Sequence, residues 1–569
     1  MKLASRLPLV SMIWLLASVH GLTGQSPAVG QGTSGQGATL AFGTPTTRDV
    51  RSGEVHEYGL TLDAGDLVSG TITLSGVAAL VQGVETSGRV IYTSYVSRSD
   101  TPRPQRLGFV APAAGSYRLK LSAFDRFSFG GQVTPGEPVP VIGAAAGSYT
   151  LALDAASVAS RMDGQQPAAR EDYPSARLKR LAQDVQAGRG DALLSFWREV
   201  AGKGPIIEEI AGNDRDADVT FLWRELYDTR NVRLGWAAHE DYMSRLSGTD
   251  VWYKTVRLRR GTRIEYVISP NDRPANRWAT AQLDPLNPRK FPDDPTYRWY
   301  SQSVLDMPGA PDEQWALRTP SRRGAIEEKT VTSTLVKEDQ IWIYTPPGYS
   351  QSAGPYPLVI LFDGAAYVSH RFGAAPVTLD NLINDGRIRP AVVCFDPRNR
   401  GPNTAGIGAT EKFGDALVQE LIPMLRASYA ISSNPADVII GGFSAGGRAA
   451  AQIALFHPEV FGNVLSQSGG FRESSGGDEP NASARAFLEA PRKPIRFYME
   501  VGRYDNVPAA DRPLYELVLD QTNLMGNRHF RDVLRAKGYD VTYREVGAGH
   551  DFVHWRAMLA DGLMTLLKP

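Results

Sequence analysis

An apolar run, Val438-Ile439-Ile440, meets Gly441-Gly442-Phe443-Ser444-Ala445-Gly446-Gly447 and then a stretch of small residues suited to a helix. Gly-x-Ser-x-Gly between a strand and a helix makes a sharp turn whose serine takes strained backbone angles. Gly442 and Gly446 are expected where a β-carbon would strike the neighbouring strand or helix. The hydroxyl of Ser444 is thereby lifted out of the sheet and becomes a candidate nucleophile. The helix is predicted over Ala449 to His457, where Pro458 stops it. A tight turn with a solvated serine would satisfy the same residues, but not the α/β crossover pattern on both sides.

A serine nucleophile needs a base and an acid that orients the base, and on a doubly wound sheet these follow in the order Ser, Asp or Glu, His. The apolar strand Ile495 to Val501 leads into Gly502-Arg503-Tyr504-Asp505, which puts Asp505 on a loop at the carboxyl end of a strand, where sites of open α/β sheets lie. Strand Val541 to Val546 leads into Gly547-Ala548-Gly549-His550, making His550 the candidate base. Glu500 is the rival acid, placed inside its strand. The oxyanion hole would use the N–H of Ala445 and that of Ala365, after the buried strand Leu358 to Phe362, with Asp363 bracing the loop.

The segment His550-Asp551-Phe552-Val553-His554 superficially matches a zinc-binding His-Glu-x-x-His helix. That motif must lie within a helix, whereas Gly547 and Gly549 put His550 on a loop. No metal or organic cofactor is therefore expected, and His554 reads as packing or as pocket wall with Trp555.

Several of these segments resemble the enterochelin esterase family, the esterase D-like group. They are Leu361-Phe362-Asp363-Gly364, Glu420-Leu421-Ile422-Pro423, the Ser444 elbow, His457-Pro458-Glu459-Val460-Phe461-Gly462, Leu465-Ser466-Gln467-Ser468-Gly469, and Gly549-His550-Asp551 with Trp555. Upstream, Phe196-Trp197 with Val200, Val219 to Arg224, Gly248-Thr249-Asp250-Val251-Trp252-Tyr253 and Asp284-Pro285-Leu286-Asn287-Pro288 resemble the domain that precedes the hydrolase in those enzymes. The resemblance spans about two thirds of the chain, and the paired domain makes it specific. It matches Ser444 and His550 to the family's catalytic pair and places Asp505 where its acid falls. It implies a siderophore ester as substrate, and an upstream domain that leans over the hydrolase mouth. The Arg-x-x-Glu-Leu pattern usual after the fourth strand is missing here: Arg398-Asn399-Arg400 runs on into Gly401-Pro402.

The expected architecture is multidomain, with two N-terminal β-sandwich domains followed by an α/β-hydrolase domain, since 569 residues exceed one core. Residues 1–24 read as a secretory signal, with Lys2 and Arg6 before an apolar run too short to span a membrane. Residues 25–38 read as a flexible Gly/Ser/Gln linker. Residues 39–156 form a β-rich region in which Gly115-Ser116-Tyr117 and Gly147-Ser148-Tyr149 each open a period-two alternation. This region resembles the bacterial pre-peptidase C-terminal domain. A second linker covers 157–175, the second sandwich 176–323 and the hydrolase 324–569. A helix is predicted over Ala176 to Ala187. Trp223, Trp252, Tyr253 and Tyr266 are expected in the second sandwich's core.

Sixty-one basic residues balance sixty-one acidic ones, so no nucleic-acid partner is suggested. Cys394, the sole cysteine, allows no internal disulfide and reads as a buried thiol. The protein is expected to be exported, periplasmic or secreted. Its partner is a small-molecule ester, with a ferric siderophore among the candidates. Phe471, Phe552 and Trp555 would supply flat apolar walls, and Arg398, Arg400 and Arg472 cationic donors. A carbohydrate esterase releasing feruloyl or acetyl groups fits the same residues. A binding protein on a silenced hydrolase fold would not need all of Ser444, Asp505 and His550.

Overall fold

A computed structural model describes residues 38–40, 42–63, 66–88, 90–96, 104–111, 114–129, 138–141, 143–154, 175–225, 229–236, 239–271, 280–293, 301–332, 339–398, 407–471, 481–505 and 523–569. Residues 1–24, expected as a signal, and nearly all of both linkers lie outside the described residues. Among the described residues, no helix is long and apolar enough to cross a membrane.

The carboxyl-terminal unit is built on one eight-stranded sheet. In chain order its strands are β1 Ala325–Val331, β2 Asp339–Thr345, β3 Leu358–Phe362, β4 Val392–Asp396, β5 Val438–Phe443, β6 Asn463–Gln467, β7 Arg496–Gly502 and β8 Asp540–Val546. In space they run β1-β2-β4-β3-β5-β6-β7-β8. The pairs from β4 to β8 are parallel, and β2 is antiparallel to both β1 and β4. Helices cover both faces, which explains why β3 is apolar at every position. Leu358, Ile360 and Phe362 enter one core with the helices Ile422–Ser428 and Ala445–Phe456. Val359 and Leu361 enter the other with Ala375–Asn384 and Phe552–Leu566. Cys394 on β4 is fully buried, and burial pushes its thiol well above the usual range.

This unit begins at about Pro311 rather than Gly324. Residues 311–323, expected with the preceding domain, lie against the helices of this unit: Arg556 donates to Glu313 at 3.0 and 2.5 Å, and Asn381 donates to the carbonyls of Trp315 and Arg318 at 2.9 and 2.7 Å. Arg318 and Arg322 also reach a helix of this unit, donating to Asn381 at 3.3 Å and to Asn384 at 3.2 Å.

The other unit carries two sets of sheets. In the first, a five-stranded sheet containing Val55–Leu62 and Gly115–Phe124 shares a core with a four-stranded sheet containing Leu67–Ser75 and Ala146–Leu153. The two Gly-Ser-Tyr segments fall one in each sheet and both tyrosines are buried in that core, as the period-two pattern requires. In the second set, a four-stranded sheet includes Asn213–Arg224 and Val251–Arg259, and a five-stranded sheet includes Val232–Trp236 and Arg263–Pro270. The predicted helix is present over Ala176–Gln186, capped by the Ser175 side chain. Trp223 and Tyr266 are core residues, while Trp252 and Tyr253 are half-buried.

The polar residues of the second set's motifs hold turns. Asp284 accepts from the Tyr266 hydroxyl at 2.6 Å and from the Leu286 N–H at 2.8 Å; burial raises its pKa to about 6 even though these bonds oppose the rise. Asp250 accepts from Trp197 Nε1 and Arg224 Nε, each at 2.8 Å.

Candidate active site

Strand β5 ends at Phe443, and Ser444 sits at φ 52°, ψ −119°, with the helix starting at the next residue, Ala445, rather than at Ala449. The strained conformation is held from both sides: the Ser444 N–H donates to the Gln467 carbonyl at 2.8 Å, and the Gly470 N–H donates to the Ser444 carbonyl at 2.9 Å. A β-carbon on Gly442 would lie 3.0 Å from the backbone of Gly446, and one on Gly446 would lie 2.7 Å from Asp363 Oδ2. Both glycines of the pentapeptide are therefore required by close approach, and the second admits the Asp363 carboxylate against the helix start, where negative charge is favoured.

Helix geometry also leaves the Ala445 N–H without an intrahelical acceptor, because the first turn of any helix has none. Ala365 stands likewise in the first turn of the short helix Gly364–Val368, which Asp363 opens from a left-handed conformation, φ 58°. The two N–H groups begin helices at the carboxyl ends of the adjacent strands β5 and β3.

Asp505 follows β7 and is wholly buried, and His550 follows β8. Gly502 lets the two loops meet: a β-carbon there would be 2.3 Å from the Ala548 carbonyl oxygen, and the Tyr504 N–H donates to that carbonyl at 2.9 Å. His550 Nδ1 faces both Asp505 oxygens, at 3.0 and 2.9 Å. A carboxylate only accepts, so Nδ1 carries the proton and Nε2 is the basic nitrogen. Asn523, which sequence reasoning missed, donates to Asp505 Oδ2 and to the Ser468 carbonyl, both at 2.9 Å. No spacing signals it, since it opens a helix 18 residues beyond the acid.

Aromatic rings join the two loops. His550 meets Trp555 edge-on at 4.9 Å between centroids, and Trp555 stacks on Phe443, the residue before Ser444, at 4.5 Å. Phe552 contacts Phe443 and Trp555, each at 5.1 Å. Trp555 and Phe552 thus lie beside His550 and Phe443, and Trp555 is only 5% exposed.

Other expected pocket residues lie elsewhere. Phe471 is core, stacked on Phe530 at 4.0 Å, because its loop turns inward beneath the elbow. Arg398 is buried: its Nε and Nη2 donate to Asp396 at 2.8 and 2.7 Å and its guanidinium lies over Phe413, so it braces the end of β4. Arg400 and Arg472 lie outside the described residues.

Glu500 is not the acid facing His550. It points to His554, whose Nε2 is 3.2 Å from Glu500 Oε2 while Nδ1 is 3.1 Å from Asp551 Oδ1. Both nitrogens face acceptors, so His554 is an imidazolium rather than simple packing or pocket wall. Burial alone would lower its pKa, but the two carboxylates outweigh burial and raise it to about 10. His550 precedes the helix Phe552–Leu566 that carries His554, so the two imidazoles do not form a zinc-binding helical pair.

The raised pKa has a consequence for stability. Folded His554 keeps a proton that the unfolded chain releases near 6.5, so its contribution is complete below that pH and is lost as pH rises through about 10. Thermal unfolding followed from pH 6 to 10 is expected to show a falling Tm whose slope flattens in His554→Gln. Equal slopes in the two proteins would refute the assignment.

The comparisons follow the same division of the chain. The Esterase family matches residues 332–566, and the enterochelin esterase N-terminal domain matches residues 218–316. An iron(III) salmochelin esterase of Escherichia coli is 28% identical over 434 residues, covering 70% of this chain and 98% of that protein. An iron(III) enterobactin esterase of the same organism is 27% identical over 416 residues, covering 66% and 96%. The crystal structure of the enterobactin esterase of Shigella flexneri, determined in the presence of enterobactin, aligns with a TM-score of 0.50 at 24% identity, covering 65% of this chain and 97% of that one. Both matched domains occur in the order found in those relatives, and the protein belongs to the enterochelin esterase family and is a carboxylic ester hydrolase.

Proposed function

We propose that the protein is an exported serine esterase that cleaves the ester bonds of a catecholate siderophore. In this reading His550 Nε2 takes the proton of Ser444 as the hydroxyl attacks the ester carbonyl, and Asp505 holds the imidazole in the required tautomer and stabilises the imidazolium. The N–H groups of Ala445 and Ala365 receive the oxyanion of the tetrahedral intermediate. His550 returns the proton to the leaving alkoxide, and water, activated by the same base, releases the acyl group from Ser444. The chemistry needs no cofactor.

The observation that carries the catalytic reading is the bonded Asp505–His550 pair on the loops after β7 and β8, coupled through Trp555 and Phe443 to the elbow. The siderophore rests on the two relatives, which span nearly their whole length on this chain, upstream domain included. Export rests on the first 24 residues. The two five-stranded and two four-stranded sheets of the amino-terminal unit are read as two sandwiches, the second being the family's N-terminal domain.

Purified protein offered enterobactin, its iron complex and feruloylated oligosaccharides side by side, with Ser444→Ala as blank, tests the substrate. Serine-dependent release of dihydroxybenzoylserine fragments, at a kcat/KM well above that for the sugar esters, is expected. Efficient ferulate release without trilactone cleavage would replace the siderophore by a plant cell-wall ester.

A further inference from the structure

Three ionisable groups stand in the interior behind the nucleophile, where none touches the reacting atoms. Glu500 is wholly buried, His554 is 2% exposed and Asp551 7%. Taking charges out of water is costly, and apolar side chains of similar volume would fill the space as well or better. What the charges add is direction.

Asp551 Oδ1 accepts from the backbone N–H and from Nδ1 of His554, at 3.2 and 3.1 Å, while Oδ2 accepts from the Gly549 N–H at 3.2 Å. The residues on either side of His550 are thus fixed by one carboxylate. From His554 the bonds continue to Glu500 Oε2, and Glu500 Oε1 accepts from Gln467 Nε2 at 3.2 Å. Gln467 Nε2 also donates to the Trp555 carbonyl at 2.9 Å, and its Oε1 accepts from the Tyr367 hydroxyl at 2.7 Å. Tyr367 belongs to the short helix that holds Ala365. The backbone carbonyls of Gln467 and Glu500 accept from the N–H groups of Ser444 and Ser468. One bonded path therefore runs from the oxyanion helix, beneath the serine, to both sides of the base.

We propose that Glu500, His554 and Asp551 act as a positioning device that holds the His550 loop in register with the serine elbow and the oxyanion helix. This rests on His550 being the general base. The group holds a loop whose backbone carries Gly547 and Gly549 on the way to His550, and a displacement of about 1 Å there can cost a hundredfold in rate. Because the device acts on geometry around the base and not on the substrate, its loss reads in kcat rather than KM.

The test uses Glu500→Gln in the full chain, a substitution that keeps volume and breaks the charge pairing. Rates on a small soluble activated ester are normalised to the folded fraction from near-ultraviolet circular dichroism. The expected result is a kcat at least tenfold lower with KM within twofold, together with a shift or loss of the low-field proton resonance of His550 Nδ1. Asp551→Asn, at the more exposed end of the path, is read in the same way and decides the matter should Glu500→Gln not fold. Tyr367→Phe, which removes one hydroxyl, is the milder third arm and is expected to lower kcat alone. A folded variant with unchanged kcat, or a loss confined to KM, overturns the proposal. His550→Ala separates the two claims: if it keeps the wild-type rate, the catalytic reading fails, whereas if it is inactive while the path variants keep full kcat, only the positioning device fails.

Discussion

Ser444→Ala is expected to lower kcat on an activated ester by about 10⁴-fold or more while leaving the fold intact. The rate effect is large because in the proposed mechanism the serine, base and acid act as a unit, and removing the nucleophile leaves only ester binding and the oxyanion donors. The stability effect is small for a reason visible at the residue. Ser444 is held by its backbone N–H and carbonyl, to Gln467 and from Gly470, and alanine keeps both bonds. The strained φ of 52° is as unfavourable for alanine as for serine, so no strain is relieved or added. Initial rates and thermal unfolding of the same preparations check this. A variant that kept more than a hundredth of the wild-type rate would remove Ser444 from the chemistry.

The elbow could be read from sequence because its demands are local. Two glycines and a serine between an apolar run and a helix leave few alternatives, and the structure supplies the reason for each glycine in a specific clash. The Asp505–His550 pair was legible through order alone: each follows a strand, and parallel strands bring their carboxyl ends to one edge of the sheet. The central strands were equally plain, since only a sheet buried on both faces calls for five apolar residues in a row.

What was not legible depends on side-chain direction. Glu500 lies five residues before Asp505 on a strand buried from Phe497 onward, and nothing in its neighbours tells which acid meets the histidine. The answer lies in His554, 54 residues away. Phe471 and Arg472 follow the Gly469-Gly470 turn, and sequence proximity to the serine suggested a pocket wall. The chain instead turns Phe471 down onto Phe530, a helix residue with which it shares no sequence pattern. Arg398 misled in a similar way: its guanidinium is matched by a carboxylate only two residues away, a pairing that spacing could have raised. Residues 311–323 read as part of the preceding domain because they adjoin it in sequence, whereas their partners lie on helices far along the chain.

Those partners make the last prediction. A chain beginning at Gly324 is expected to be much less stable than one beginning at Pro311, although both lack every upstream strand. The difference isolates residues 311–323. Glu313 and Arg556 form an ion pair whose side chains are 4% and 10% exposed, and breaking such a pair by removing one partner costs about 3–5 kcal/mol because the other charge stays buried. Asn381, 1% exposed, would also lose both carbonyl acceptors of its amide, and Asp385 would lose Arg318, which donates to it at 2.8 Å. Against a total stability of about 5–15 kcal/mol these losses are a large fraction. For a domain of this size they correspond to a fall in Tm of roughly 6–20 °C. Arg556 follows Trp555 directly on the helix, so the damage should reach the ring that His550 meets edge-on, and the remaining folded protein should turn over a small soluble ester more slowly. Thermal unfolding and ester turnover of the two shortened chains, measured side by side, decide it. Equal Tm and equal kcat would mean that the strap is ornamental and that the hydrolase begins where its first strand does.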